Sequence, residues 1–556
     1  MEPAELDKLI RKYALANAVE HSGTAQEKSV LGRLLADEPA LRKHALQIRS
    51  MIENVVADVN GMGLERQKKE LDALGAPEQI QRVDKKTLME LDVGRSFVIR
   101  FAPNPDGCLH LGNARPAVLC DEYRKRYKGK FILRFDDTDP KIKTPEKQFY
   151  KWIREDLRWL KIQWASEVIA SKRLPIYYSY AEKLVRQDHA YVCTCESETW
   201  KDLRDKSRAC PCRRADAKET LKLWRKMLAA NVAKRSAFRE GQAVLRIKTD
   251  LEAKNPAVRD WPAFRIVDNP HHPLSKKRLW PLYNFASAID DHLLGVTHIF
   301  RGQEHTTNEV KQRYLYHHFN WKYPFNIVLG RFSLAGAELS KSEIRNGIAD
   351  GKFGGWDDLR LGTLRSLKRR GFQPDALRQI IIDIGVKPSD ITISFENLAA
   401  YNRKLIDRTA KRFFFVSSAK RIEIPNMPLR KVAIAVHPDE KKKTRTVKLG
   451  KTFFIDEADY DKLNGLEVRL KDLANVKLGP KTIYTGKEVK SLPKIQWVSD
   501  DHVPVMVLQP GKELKGIGES NIAKCKAGEI VQFERFGFVR IEKTSKNGVV
   551  AVFTHE

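Results

Sequence analysis

Apolar residues recur at helical spacing through the first ninety positions. Leu6, Leu9, Ile10 and Tyr13 share one face, as do Leu31, Leu34 and Leu35, then Ile48, Ile52, Val55 and Val56. That three-and-four stepping is the mark of amphipathic helices. Gly61-Met62-Gly63 interrupts it. Residues 1–92 therefore read as an N-terminal helical appendage with no recognisable chemistry, open to contact with the rest of the chain, a nucleic acid or a partner protein. From residue 93 the pattern changes. Continuous apolar runs at 97–101 and 131–135 read as buried strands, and they alternate with helical runs at 113–127 and 145–160. The second helix opens on Pro145 and turns Phe149, Trp152, Ile153, Leu157 and Leu160 inward. Strand alternating with helix predicts a parallel, Rossmann-type sheet.

The rhythm breaks near Tyr191. A basic helical segment and a strand at 243–249 follow, so residues 192–280 read as an insertion between two halves of the α/β domain, 93–191 and 281–345. The second half carries a strand at 297–301 and a helix at 308–319. Residues 346–415 read as helical, with helices at 358–370, 374–384 and 397–415. Beyond that, short β-like runs at 432–436, 452–455 and 503–508 alternate with Gly, Pro and Lys turns, and residues 416–556 read as β-barrels. The expected fold is multidomain, α/β followed by all-β.

Charge narrows the partner. The formal net charge is +30, which points to a polyanion such as a nucleic acid. Heat adaptation also enriches charged residues, but it adds both signs. A basic run from Lys441 to Lys451 fits a nucleic-acid contact and a solvated loop equally well. No run of about twenty apolar residues exists, and the start, Met1-Glu2-Pro3-Ala4-Glu5, lacks a signal-peptide core. The expectation is a cytoplasmic protein without a membrane span. Of seven cysteines, Cys193 and Cys195 pair with Cys210 and Cys212 across fourteen residues, a spacing suited to a closed structural Zn²⁺ site with no open position for catalysis. Cys108, Cys120 and Cys525 read as structural. His271-His272, in a Pro-flanked turn, reads as a solvated loop.

Two stretches carry chemistry. The first runs from Arg100 to Arg115 and contains Asn104, Gly107, His110, Gly112 and Asn113. It passes from a strand through a tight loop into a helix start, the geometry that aims backbone N–H groups and a positive dipole end at phosphates. Gly107 and Gly112 permit close backbone approach, and the His110 ring N–H can donate to a phosphate oxygen as charge develops. The second, Glu338-Leu339-Ser340-Lys341-Ser342, lies about 230 residues downstream.

Together His-Leu-Gly-Asn and Leu-Ser-Lys-Ser resemble the two signatures of class I aminoacyl-tRNA synthetases. Arg-Phe-Ala-Pro-Asn-Pro at 100–105, Leu-Arg-Phe-Asp-Asp-Thr-Asp-Pro at 133–140 and Asp-Asp-His-Leu-Leu-Gly-Val-Thr-His at 290–298 look like the glutamyl/glutaminyl branch, the archaeal type in particular. The resemblance implies a class I catalytic domain with an acceptor-binding insertion, a helical stem-contact domain and two anticodon-binding barrels. It also implies ATP with Mg²⁺, L-glutamate and tRNA-Glu as substrates, tRNA-Gln as a possible second tRNA, and activation that depends on bound tRNA. A cysteine cluster of this kind occurs in archaeal-type relatives.

By the same resemblance His110, Gly112, Asn113 and Ser340 hold ATP, the backbone around Arg331 and Phe332 meets adenine, and Lys341 reaches the leaving pyrophosphate from a mobile loop. Asn104 lines the glutamate pocket, Asp136 binds the α-ammonium, Tyr283 offers a hydroxyl and Arg100 reaches the side-chain carboxylate. Arg301 stands where glutamyl enzymes carry Arg and glutaminyl enzymes do not. A buried guanidinium matches a carboxylate and mismatches a carboxamide; the plainer reading pairs Arg301 with Glu304. Asn113 and Glu338 depart from the usual His and Lys of the signatures. They are the only support for a non-catalytic tRNA-binding paralogue, while Arg301 argues against a glutaminyl enzyme.

Overall fold

The computed structural model describes the chain apart from residues 1–2, 22, 38–40, 42–44, 76–87, 233–236, 441 and 546. The chain divides into two units, Met1–Lys85 and Lys86–Glu556. In the first, helices Pro3–Glu20, Glu27–Asp37, Ala45–Asn60 and Leu64–Leu74 enclose a core that includes Ile10, Ala14, Leu34, Ile52 and Val56. Gly61-Met62-Gly63 forms the turn between the last two helices. Gln67 is wholly buried, and its amide donates to Val59 O (2.8 Å) and Gly23 O (2.9 Å) across that turn. The helical reading extends to residue 92, but the segment 76–87 lies outside the described residues. Residues 88–93 are not helical and belong to the second unit, where Leu91 joins the hydrophobic core of the α/β domain.

The second unit begins with five parallel strands in the order Ser166–Ile169, Lys130–Phe135, Val98–Phe101, His298–Gly302, Phe325–Leu329. Continuous apolar runs form these strands because helices cover both faces of the sheet. Helix Lys147–Trp159 buries Phe149, Tyr150, Ile153 and Leu157, spaced to fall on one face. Its N-cap is Glu146, so Pro145 lies just outside rather than opening the helix. The insertion is an antiparallel sheet, Ala190–Cys193, Val244–Ile247, Pro262–Ile266 and Leu279–Pro281. Its core, around Trp224, Leu245, Trp261 and Phe264, is continuous with Phe285 and Leu315 from helices Tyr283–Leu293 and Thr306–His318.

The region expected to be helical is broken in three places. Helix Leu364–Arg370 starts only at the Thr363 cap. Before it the Asp358 carboxylate accepts Gly354 N (2.9 Å) and Arg360 N (3.1 Å) and holds a turn instead of a helix. Strand Ile391–Ile393 pairs in parallel with Phe332–Leu334. Helix Phe395–Ile406 ends where the expected helix continued to 415, and strands Lys411–Phe413 and Phe415–Val416 follow. Aromatic residues 413–415 suit a sheet that closes from far downstream. Both strands join the seven-stranded sheet built otherwise from residues 502–555. The two C-terminal barrels are therefore not consecutive; the chain starts the second, builds the first, then returns.

A buried ion pair crosses between their cores. Arg445 donates to both Glu519 oxygens (2.7 and 3.2 Å), and Glu519 also accepts Phe414 N at 3.1 Å. The basic run thus contains one internal cation rather than a wholly solvated loop. Glu519→Ala would strand the Arg445 charge, and the C-terminal unfolding transition in urea should lose about 3–5 kcal/mol. Arg445→Met with Glu519→Leu should recover most of that loss; an unchanged midpoint in the single variant would contradict the role given to the pair.

Candidate functional site

A cleft of about 1020 Å³ opens at the carboxyl ends of the parallel strands, where open α/β sheets bind ligands. Its walls bring together Arg100, Asn104, His110, Gly112, Asn113, Asp136, Tyr283, Arg301, Arg331, Phe332, Ser340 and Lys341. These span some 240 positions of the chain.

His110 caps helix Leu111–Arg126 and is half-buried, with its Nδ1 shielded from solvent. Burial, and secondarily the Lys341 charge, pushes its imidazole down to about 3. It is therefore neutral near pH 7, a polar donor rather than a cation. Asn113 turns its carbonyl oxygen back to accept His110 N (3.3 Å), which leaves its amide N–H groups for the cleft. Leu109 O accepts Leu364 N (2.9 Å), and Leu111 N donates to Gly362 O (3.0 Å). The loop is thereby pinned on both sides of His110. The two glycines have steric roles. A Cβ on Gly112 would sit 2.9 Å from both the His110 Cε1 and Phe332 O, and one on Gly107 would meet the Trp356 ring at 2.8 Å and Lys341 Cδ at 3.0 Å.

Lys341 is the first residue of helix Lys341–Ala349, not part of a loop. Its ammonium donates to Asp106 Oδ1 (2.7 Å) and Asn104 O (2.8 Å), across the cleft mouth. Glu338 binds no cation here. It accepts Leu339 N (2.9 Å) and Ser340 N (2.7 Å) and shapes the turn that Ser340 then caps. Arg331 is exposed, with its backbone N–H held by Asp390 Oδ1 at 2.7 Å, and Phe332 is buried with its carbonyl against Gly112.

On the opposite wall, Arg100 donates to both Asp291 oxygens (2.9 and 3.2 Å). Burial disfavours its charge, but Asp291 more than offsets this and the guanidinium ends above its ordinary value. Asp136 has one oxygen 3.2 Å from Arg134 but poorly aligned, so that oxygen lacks a hydrogen bond. Burial, with Asp137 and Asp290 nearby, outweighs Arg134 and raises its carboxyl. The Asn104 side-chain amide oxygen, Oδ1, is likewise buried without a partner. Tyr283 opens its helix with its ring 6.0 Å from His305.

Arg301, like Arg115 on the same wall, is a buried arginine held by neutral oxygens alone. It is 4 % exposed. Its partners are Gln312 Oε1 (2.5 Å), the Tyr323 hydroxyl (3.1 Å) and His305 O (3.4 Å), all neutral. Its Nε has no partner. Among the described residues no carboxylate pairs with it, Glu304 included.

Several residues of the site were not singled out from sequence. Asp291 neutralises Arg100. Asp290 gathers Arg134 (2.7 Å), Arg173 (2.7 Å) and Tyr177 (2.5 Å). Arg115 holds Gly330 O (2.8 Å) and Gly385 O (3.1 Å). A charge inside an apolar strand or helix is the available signal, since such a group needs a partner. His272 corrects the solvated-loop reading: its side chain is fully buried, with Nε2 2.9 Å from Asp137 O and the ring 4.9 Å from Trp280.

Away from the cleft, the Cys193, Cys195, Cys210 and Cys212 sulfurs all lie within 4.8 Å of one another, with Cys193–Cys210 at 3.8 Å and Cys195–Cys212 at 3.6 Å. A tetrahedron with Zn–S near ~2.3 Å has edges of about 3.8 Å, so the four thiols fit such an ion. Tyr191 and Arg213 fasten the knuckle to Asp260, each at 2.9 Å.

His110 gives a direct check. Its folded value lies below the ordinary 6.5, so the unfolded chain binds a proton that the folded chain refuses. Its contribution to stability is full above about pH 6.5 and declines as pH falls toward 3. In ¹⁵N-imidazole spectra His110 should keep its neutral-form shifts from pH 8 to pH 5; a midpoint near 6.5 would contradict its burial.

Three family models match the chain. "tRNA synthetases class I (E and Q), catalytic domain" covers residues 96–408, and two models described as the anti-codon binding domain of the same class cover 410–492 and 494–542. A curated protein of Pyrococcus abyssi named glutamate–tRNA ligase is 48 % identical over 99 % of this chain and 100 % of its own length. Proteins of the same name from Thermococcus kodakarensis and Sulfurisphaera tokodaii are 48 % and 44 % identical at the same coverage. Among the described residues no helix is long and apolar enough to cross a membrane.

Proposed function

The chain belongs to the class I tRNA synthetases of the E and Q branch, and from that premise we propose that it is a glutamate–tRNA ligase. It condenses glutamate with ATP to glutamyl-adenylate and pyrophosphate, then transfers the glutamyl group to the 3′-terminal ribose of tRNA-Glu. The observation that carries the choice of glutamate is Arg301: a buried guanidinium on the cleft wall, held by neutral oxygens and matched by no carboxylate among the described residues. Such a cation is complementary to the substrate's side-chain carboxylate, and a carboxamide would leave it unpaired. Arg100 is already neutralised by Asp291, so it frames the pocket and offers its remaining N–H groups. Asp136, with an unbonded oxygen, receives the α-ammonium, and Tyr283 and Asn104 complete the wall.

In this reading the α-carboxylate attacks the α-phosphorus in line. Chemistry of this kind is helped mainly by positioning and by charge placed where negative charge develops. Neutral His110 donates to a phosphate oxygen, and the Gly112 backbone and Asn113 amide flank it. Lys341 exchanges Asp106 and Asn104 O for the pyrophosphate oxygens; in the free protein these contacts keep the cation at the cleft mouth. Mg²⁺ enters with ATP. The insertion receives the tRNA acceptor end, and the barrels, with the net charge of +30, contact the anticodon arm. Use of tRNA-Gln as well, and a cytoplasmic site of action, belong to the same reading. The knuckle would hold a structural Zn²⁺ through Cys193, Cys195, Cys210 and Cys212.

Two outcomes check these assignments. Arg301→Ala should raise the KM for glutamate by about 10- to 100-fold in ATP–pyrophosphate exchange with tRNA present, with the KM for ATP little changed. Equal glutamate use by both proteins would remove Arg301 from the pocket. The purified protein should contain one zinc per chain by elemental analysis, and Cys210→Ser should lose it and lower the thermal midpoint. Absence of zinc from freshly purified wild type would leave the thiols as a metal-free cluster.

A further inference from the structure

Three elements converge behind Arg301. Strand His298–Gly302 carries the guanidinium, helix Thr306–His318 carries Gln312, and Tyr323 lies just before strand Phe325–Leu329. Gln312 is 1 % exposed. Arg301 Nη2 donates to Gln312 Oε1 (2.5 Å) and to the Tyr323 hydroxyl (3.1 Å), and that hydroxyl donates to the same Gln312 oxygen (3.0 Å). Both donors fix the amide orientation, since its N–H groups could accept from neither. The amide nitrogen is then left buried with no partner.

Pairing with Arg301 alone would favour the isosteric acid at this position. Glu would remove the unpartnered N–H donors and give Arg301 a charge-assisted bond, at the cost of desolvating a second charge. We propose that Gln312 is a specificity-determining positioning residue: its neutral oxygen, with Tyr323, aims Arg301 at the cleft while leaving its positive charge uncompensated for an anionic substrate side chain. An acid at 312 would neutralise Arg301 from behind and repel a carboxylate ligand. The inference rests on the reading of Arg301 as the glutamate-carboxylate partner.

The test measures amino-acid-dependent ATP–pyrophosphate exchange, with glutamate and glutamine compared, for wild type, Arg301→Ala, Gln312→Glu and Tyr323→Phe. Gln312→Glu should melt near the wild-type temperature, raise the KM for glutamate by about 10- to 100-fold, narrow the preference for glutamate over glutamine, and leave the KM for ATP unchanged. Tyr323→Phe keeps the charge but loosens the clamp; it should raise the glutamate KM by only about 3- to 10-fold and keep the preference. An unchanged glutamate KM in Gln312→Glu, beside a strong effect in Arg301→Ala, overturns the role of Gln312 and leaves that of Arg301 standing. A lowered melting point with equal losses for ATP and glutamate overturns it too, because that is the signature of a structural residue. If Arg301→Ala itself changes nothing, the underlying reading fails. Should Gln312→Glu not fold, Tyr323→Phe decides, and an unaltered glutamate KM there contradicts the clamp.

Discussion

Two consecutive acids near the end of one helix hold the catalytic unit together. Asp290 and Asp291, on helix Tyr283–Leu293 in the second half of the α/β domain, receive buried arginines from adjacent strands of the first half: Arg134 from Lys130–Phe135 and Arg100 from Val98–Phe101. These partners lie 156 and 191 positions apart in sequence, with the whole insertion between them. Buried guanidiniums without anions would be strongly destabilising, and an acid without its arginine equally so. The pairs therefore register the two halves against each other, and the cleft at the strand ends exists only in that register. The insertion can then pack its own apolar core continuously with Phe285 and Leu315 without disturbing the sheet.

Against that background Arg301 belongs to a small group. The fold supplies acids for Arg100, Arg134, Arg173, Arg378 and Arg445 but only neutral oxygens for the buried Arg115, Arg301 and Arg370. Of these, Arg115 and Arg301 line the cleft. On the other wall, His110 is kept neutral by burial and Lys341 is parked on Asp106. The site thus separates its charges: one cation is fixed in the wall, and the proposed function assigns it to the amino acid; the other sits at the cleft mouth, and the same proposal assigns it to the phosphates.

Much of this was legible in the chain. The parallel strands and the signature loop could be read because the central strands are written as apolar runs, 97–101 and 131–135, broken only by Arg100 and Arg134, and because Gly, Pro and His punctuate the loop. What escaped was non-local. Lys411–Val416 follows a good helix and forms strands only because residues 502–555 return to pair with it. Ile391–Ile393 is too short to stand out without Phe332–Leu334 beside it. Asp291, Arg115 and Gln312 act through partners 11 to 270 positions away, and no local pattern names such a partner. His272 illustrates the same limit: Pro and His in a turn suggest solvent, and only the fold shows the ring sealed against Asp137 and Trp280.

The measurement that bears most directly on the central claim is charging of purified tRNA-Glu and tRNA-Gln, in separate reactions, with labelled glutamate and labelled glutamine. The account predicts that glutamate is attached to tRNA-Glu and that glutamine is attached to neither tRNA, because the cation in the pocket has no other anion. Glutamate on tRNA-Gln as well would widen the tRNA range without touching that claim. Glutamine transferred to tRNA-Gln, or no charging of either tRNA, would contradict it.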